Sequence, residues 1–224
     1  MGSGSFPVDL VLFGMIAAFL VLRLRSILGR RTGFERPPQP VQPPQGAPRT
    51  ATGPIIEGRP EAPTPSAPQS IPDPTSPVGQ TLVKMREVDR SFDPARFLGG
   101  VDQAFRMIVT GFAQGDRVTL RNLLADETYA AFEGAISARE AANETQVSEI
   151  RAIQQLAVDG AELKGKTAQI TVRIVSDQVS YTQDANGRPT AGTDAVTEII
   201  DLWTFERDLT STDPTWRLVA ARSG

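Results

Sequence analysis

Cysteine and histidine are both absent from this 224-residue sequence. Without cysteine there is no disulfide, no thiol nucleophile and no thiolate metal site. Without histidine the commonest general base and the commonest transition-metal ligand are missing. Both absences argue against a hydrolytic triad or a zinc centre, and nothing in the composition asks for a cofactor. Carboxylate acid/base or magnesium chemistry is what remains open to an enzyme. Tyrosine is scarce as well, limited to Tyr129 and Tyr181. A basic face is also lacking where a folded domain would need one to hold nucleic acid. Residues 61–224 carry 16 basic and 23 acidic side chains, whereas residues 1–60 carry seven arginines against three acidic residues. No nucleic-acid partner is expected from such a balance.

What is present begins with an uncharged run from Leu10 to Leu22, followed by Arg23, Arg25, Arg30 and Arg31. Thirteen residues of helix reach roughly 20 Å, short of a hydrocarbon core of about 30 Å. Counting from Phe6 to Leu28, with Arg23 and Arg25 snorkelling, gives about 23 residues, enough to cross. The expected anchor is therefore residues 6–28. The arginines behind it place the N-terminus outside and the following chain in the cytoplasm. A cleaved signal peptide is the first rival, though a basic leading region and a small-residue cleavage site are not seen. A helix lying in the interface is the second. The basic end suits an anionic lipid surface.

Residues 29–79 read as a disordered, proline-rich linker. Fourteen of the 18 prolines fall between Thr32 and Gly79. Proline removes backbone donors and fixes φ, and too little apolar surface is present to offset ordering entropy. Such a spacer reaches between about 40 Å as a coil and about 150 Å extended. Pro37-Pro38-Gln39-Pro40 also suits proline-binding modules; plain tether is the simpler reading.

Residues 80–224 are long enough for one domain with its own core. Thr81 to Phe92 reads as a short amphipathic helix with Leu82, Met85 and Val88 at helical spacing. Asp93-Pro94 pairs an N-cap with proline at the first helical position. Behind it Phe97, Leu98, Val101, Phe105, Ile108, Val109 and Phe112 form an apolar stripe that stops at Gly115. Asp116 starts a further turn whose buried side is expected to be Val118, Leu120, Leu123 and Leu124. Asp126 is expected to cap a last helix carrying Tyr129, Phe132, Ile136 and Arg139 on one line. Strands then follow over 147–158, 167–181, 196–209 and 216–221. Their turns are expected at Asp159-Gly160, Asn186-Gly187 and Asp213-Pro214. Helices first and strands afterwards imply an α+β domain with helices packed on an antiparallel sheet.

The order and spacing of several segments resemble the Tim44-like domain family. They are Phe92-Asp93-Pro94-Ala95-Arg96-Phe97-Leu98, Ala104 to Ile108, Phe112 to Asp116, and Tyr129, Phe132 and Arg139. Late in the chain come Asp201 to Asp208 and Asp213 to Leu218. That family includes a subunit of the mitochondrial inner-membrane import translocase and bacterial membrane-anchored relatives. An anchor and a low-complexity linker look like the bacterial members, which implies a bacterial inner-membrane protein. The long charged region with which the mitochondrial subunit contacts chaperone and channel is absent. The resemblance implies a curved, cone-like sheet similar to nuclear transport factor two. It also implies an apolar pocket and contact with membrane lipid, including cardiolipin, and with a protein partner.

The candidate pocket residues are Phe97, Phe105, Phe112, Phe132, Trp203 and Phe205, with Asp201 on the strand face of the last two by alternation. Each aromatic is equally an ordinary core residue. A buried Asp201 needs a partner or a proton, and Arg139 or Arg173 are the candidates. Lys84, Arg86 and Arg90 accompany the apolar positions of the first helix and suit anionic headgroups, diluted by Glu87 and Asp89. The chain reads as a non-enzymatic, membrane-tethered adaptor, with a carrier of lipid or small apolar ligands as the alternative. Ketosteroid-isomerase-like enzymes share the implied fold, but no catalytic motif points at either tyrosine, and fold alone confers no activity.

Overall fold

The computed structural model describes residues 67–224. The expected anchor at 6–28 and most of the expected linker lie outside the described residues. Among the described residues no helix is long and apolar enough to cross a membrane.

Order begins earlier than position 80. Strand β1 (Gln69–Ser70) pairs with Leu156 and Ala157, and helix α1 (Pro77–Val88) follows. Ser76 caps α1 by accepting from the Gly79 N–H at 3.0 Å, with Pro77 at the first turn where a missing donor costs nothing. Gly79 is required there, because a Cβ would lie 2.0 Å from the Asp73 carbonyl oxygen. Leu82 and Met85 are buried as the periodicity predicts, but Val88 ends the helix exposed.

Helix α2 (Pro94–Gln114) runs from the Asp93 cap to Gly115, which takes the left-handed conformation at φ 71°. Its apolar stripe is buried along its whole length. Helix α3 (Arg117–Leu123) starts at Asp116, whose carboxylate accepts from the Val118 and Thr119 N–H groups. Leu120 and Leu124 are buried, whereas Val118 is 75% exposed, contrary to expectation. Two residues apart on a helix is about 200°, so Val118 faces away from the Leu120 side. Helix α4 (Asp126–Ala141) is capped by Ala125 rather than Asp126. The Ala125 backbone is extended and donates to the Leu218 carbonyl, which fixes the start of the helix one residue early.

Three long strands follow, β2 (Thr145–Lys164), β3 (Thr167–Gln183) and β4 (Pro189–Asp208), then β5 (Arg217–Ser223). The sheet order is β1-β2-β3-β4-β5. All pairs are antiparallel except β1 with β2, so the sheet is mixed rather than antiparallel throughout. Asp159-Gly160 is not a turn: β2 continues through it with a register shift at Val158/Gly160, and the chain reverses at Gly165, φ 61°. Further shifts interrupt β2 near Ile150 and Ile153 and the β3–β4 pair near Gln178. Such bulges bend long strands and curve the sheet.

The core sits between the helices and one sheet face. Leu98, Phe105 and Ile108 of α2 meet Leu156, Ile170, Val172, Ile174, Trp203, Phe205 and Leu218. Register places Trp203 beside Val172 and Phe205 beside Ile170.

Candidate functional site

Where the α1–α2 turn, α2 and the chain entering β5 converge, they leave a half-open cavity of about 350 Å³. Phe92 and Asp93 stand at its turn side, Phe97, Val101 and Met107 along α2, Leu123 on α3, and Pro214 and Trp216 before β5. Its volume is at the small end of the range for ligand pockets. The room comes from Gly100 and Ala104, one turn apart on the α2 wall, and a Cβ on Gly100 would meet nothing within 4 Å. Four aromatic rings build the rest of the enclosure. Phe97 meets Trp216 edge-on at 4.8 Å and Phe205 at 6.2 Å, and Phe92 lies 5.8 Å from Trp216.

One ion pair ties these walls together. Arg207 of β4 donates from Nη2 to Asp89, which follows α1. The two side chains are only 11% and 13% exposed, and the guanidinium also lies 5.7 Å from the Trp216 ring centroid. Arg207 Nε is buried and has no hydrogen-bond partner among the described residues. Asp89 in turn accepts from the Ser91 N–H and hydroxyl at 2.9 and 2.6 Å.

The same short motif recurs. The Ser91 hydroxyl first, and then its N–H and Arg207, hold the Asp89 carboxyl below its ordinary value. The Thr75 hydroxyl does so for Asp73, the Thr119 hydroxyl for Asp116 and the Thr215 hydroxyl for Asp213. Backbone N–H groups of Arg188 and Thr210 do so for Asp184 and Asp208. Each is more acidic folded than unfolded, so the unfolded chain takes up protons first as pH falls. Stability is expected to be level from pH 8 to about 5, because no histidine titrates there. It should fall below about pH 4, as these groups protonate. Urea unfolding across pH 2–8 checks this, and a transition near pH 6.5 would contradict it.

The family of the Tim44-like domain matches residues 78–223. This chain belongs to that family. The Tim44-like domain here is similar to the solved intermembrane space region of chloroplast protein ARC6. That match has 10% identity and a TM-score of 0.44, and covers 59% of this chain and 96% of that one. It is also similar to a putative dehydratase of the NTF2-like family from Streptomyces avermitilis, at 14% identity and a TM-score of 0.34, over 58% and 96%. An NTF2-like protein from Cytophaga hutchinsonii gives 12% and 0.34, over 59% and 100%. No curated protein matches the chain.

Within the Tim44-like domain the residues singled out by sequence fall in three places. Phe105, Phe112, Phe132 and Trp203 are buried together, with Phe105 against Trp203 at 4.7 Å and Phe112 against Phe132 at 5.1 Å. The space beside them is about 10 Å³, the threshold for one water. Of the seven candidate pocket residues Phe97 and Phe205 line the larger cavity. Asp201 is fully buried on the Trp203 face of β4, as alternation predicts. Arg139 reaches Gln146 at 2.6 Å and the Phe112 carbonyl at 2.7 Å, closing the C-terminus of α2, and Arg173 reaches Gln155 at 3.3 Å. Lys84, Arg86 and Arg90 are all exposed. Phe92, Arg207 and Trp216 belong to the segments that carry the resemblance but are not among the expected pocket residues. A signal for them existed in the aromatic spacing of Phe92 and Phe97 around an N-cap, but Trp216 joins them only in the fold.

Proposed function

We propose that this is a membrane-tethered, non-enzymatic adaptor whose Tim44-like domain binds lipid and protein at the cytoplasmic face of a bacterial inner membrane. Protein translocation or envelope assembly is the setting. The observation that carries the reading is the surface of α1, next to the linker. Lys84 and Arg86 are exposed there together with Val83 (46%) and Val88 (42%), Arg90 is exposed just past the helix end, and Ile71 (42%) precedes them. Val83 with Arg86, and Lys84 with Val88, are neighbours at three- and four-residue spacing. Cations beside exposed aliphatics suit the headgroup region of an anionic bilayer, at roughly 1 kcal/mol per cation. The anchor and tether read from the sequence would hold this surface near the lipid.

The test is photo-crosslinking and pull-down from membranes with the full-length protein and a version lacking residues 1–31. Protein partners recovered only with the anchored form support the adaptor, and a soluble full-length protein would sink it. Replacing Lys84, Arg86 and Arg90 by Gln should weaken binding to vesicles of anionic phospholipid by tenfold or more at low salt. Wild-type binding should lose strength steeply between 50 and 200 mM salt. An unchanged affinity would remove α1 from the contact.

The carrier reading has one observation in its favour, the apolar cavity bounded by Phe97, Phe205 and Trp216. Native mass spectrometry after gentle purification tests it directly.

A further inference from the structure

We propose that the open edge of β4 at Glu198 receives an extended protein segment as an added strand, with an arginine or lysine of that segment opposite Glu198. This rests on the adaptor reading for the existence of a protein partner; α1, the tether and the bilayer take no part.

β5 covers β4 only as far as Ile200, whose carbonyl accepts from the Gly224 N–H at 2.9 Å. Along an antiparallel strand, alternate residues turn both backbone groups to the same neighbour. Ile200 turns its own toward β5, so Glu198 turns its N–H and C=O to that side as well. There the described residues place no strand. On its other side Glu198 stands opposite Asp177 of β3, in the non-hydrogen-bonded kind of pair whose side chains lie closer. Like charges directly opposite one another destabilise a sheet. Asp177 accepts from Gln154 Nε2 at 2.6 Å, and Arg151 of β2 is paired with Glu149. Neither Asp177 nor Glu198 has an ion pair among the described residues. A cation opposite Glu198 on an added strand would share its sheet face and relieve the repulsion.

The open stretch is short. Residues 194–196 bulge out between the Thr193–Ser180 and Thr197–Gln178 pairs. Bulges keep a free edge from pairing with copies of itself. A second copy set antiparallel across Glu198 would also put that acid against itself. The surplus of acidic over basic side chains in residues 61–224, 23 to 16, favours a basic partner too. Two residues are enough for such a clip: on the opposite edge β1 is no longer, and there Leu156 N–H donates to the Pro68 carbonyl at 3.0 Å. Backbone hydrogen bonds give an added strand its affinity, and alternate side chains give it specificity.

The test uses the full-length protein in phosphatidylcholine nanodiscs, whose lipid carries no net charge to attract a basic peptide. The first probe is acetyl-Thr-Arg-Thr-Val-Thr-amide, with arginine near its start so that the peptide clears Gly224. The second has glutamate in place of arginine, and the third is the arginine peptide N-methylated at its arginine. Deuterium exchange of residues 197–200, read by mass spectrometry across a titration, gives each affinity. The arginine peptide should slow this exchange and bind about tenfold more tightly than either of the others. One lacks the attractive charge, and the other lacks the N–H that faces β4. Glu198→Lys should turn the preference over to the glutamate peptide. Glu198→Gln should remove the preference and leave the thermal midpoint unchanged or higher, because it ends the repulsion with Asp177. Equal binding of the arginine and glutamate peptides, or of the methylated and unmethylated ones, would overturn the proposal. So would an arginine preference that survives in Glu198→Lys, a lower midpoint in Glu198→Gln, or no slowing by any probe. A dimer of the unaltered protein that Glu198→Lys abolishes would give the edge to a second copy instead and overturn it too. Peptide binding is read on the purified protein and partner recovery on membranes, so either result can fail without the other.

Discussion

Phe105→Ala is expected to cost about 4 kcal/mol of stability, within the range of about 3–5 for a buried phenylalanine. The ring is fully buried and packs edge-on against Trp203 at 4.7 Å. Such a pair adds roughly 0.5–1.5 kcal/mol beyond the area it hides. It joins α2 to β4, so the lost volume lies between two layers that cannot close independently. For a domain of this size the midpoint of thermal unfolding should drop by about 8–16 °C. Val118→Ala, on the exposed side of α3, should change it by about a degree. Urea unfolding and thermal melts of the two variants beside the unaltered protein measure the free energy and the midpoint. A loss below about 1 kcal/mol for Phe105 would mean that the α2–sheet seam is loosely packed.

Breaking the Asp89–Arg207 pair from one side should be nearly as severe. Arg207→Met leaves a carboxylate that is only 13% exposed without its cation. Removing one partner of a buried pair typically costs about 3–5 kcal/mol; the Ser91 hydrogen bonds to Asp89 keep the expected loss near the lower end, about 3. The double replacement Asp89→Asn with Arg207→Met should recover much of it, because no isolated charge remains. The deficit of the single variant should shrink below about pH 4, where Asp89 protonates and needs no counter-charge. Additive effects in the double variant would show that the two side chains do not interact.

The helices were legible where their ends carry chemistry. Asp93-Pro94 and Gly115 bracket α2 as its sequence predicts, because a cap, a proline at the first turn and a left-handed glycine each act locally. Ser76-Pro77 is the same signal for α1, yet it sits in a proline-rich run where composition argues for disorder. The local cap outweighs the composition, since Leu82 and Met85 find the core within two turns. Alternation in β3 correctly marks Ile170, Val172 and Ile174 as core. Asp159-Gly160 misleads because an aspartate-glycine pair serves a bulge as well as a turn, and the pairing partner Thr171 decides between them. The site was less legible. Aromatic content points to the interior, where Phe112 and Phe132 pack on each other and leave almost no space. The open cavity depends on what is missing at Gly100 and Ala104, and on Trp216 arriving from the far end of the chain.

The two residues of β1 have a mechanical consequence. They lie parallel to β2 at its outer edge, and the segment to Ser76 connects them to α1. A pull on the chain ahead of Ala67 loads that buried residue and this small clip before it loads the helices and the rest of the core. Its yield would release residues 69–76 as slack, about 25–30 Å when extended. α1, the ion pair at Arg207 and the cavity walls would stay in place. The junction then behaves as a strain-relief loop, lengthening under tension before the domain itself feels the force.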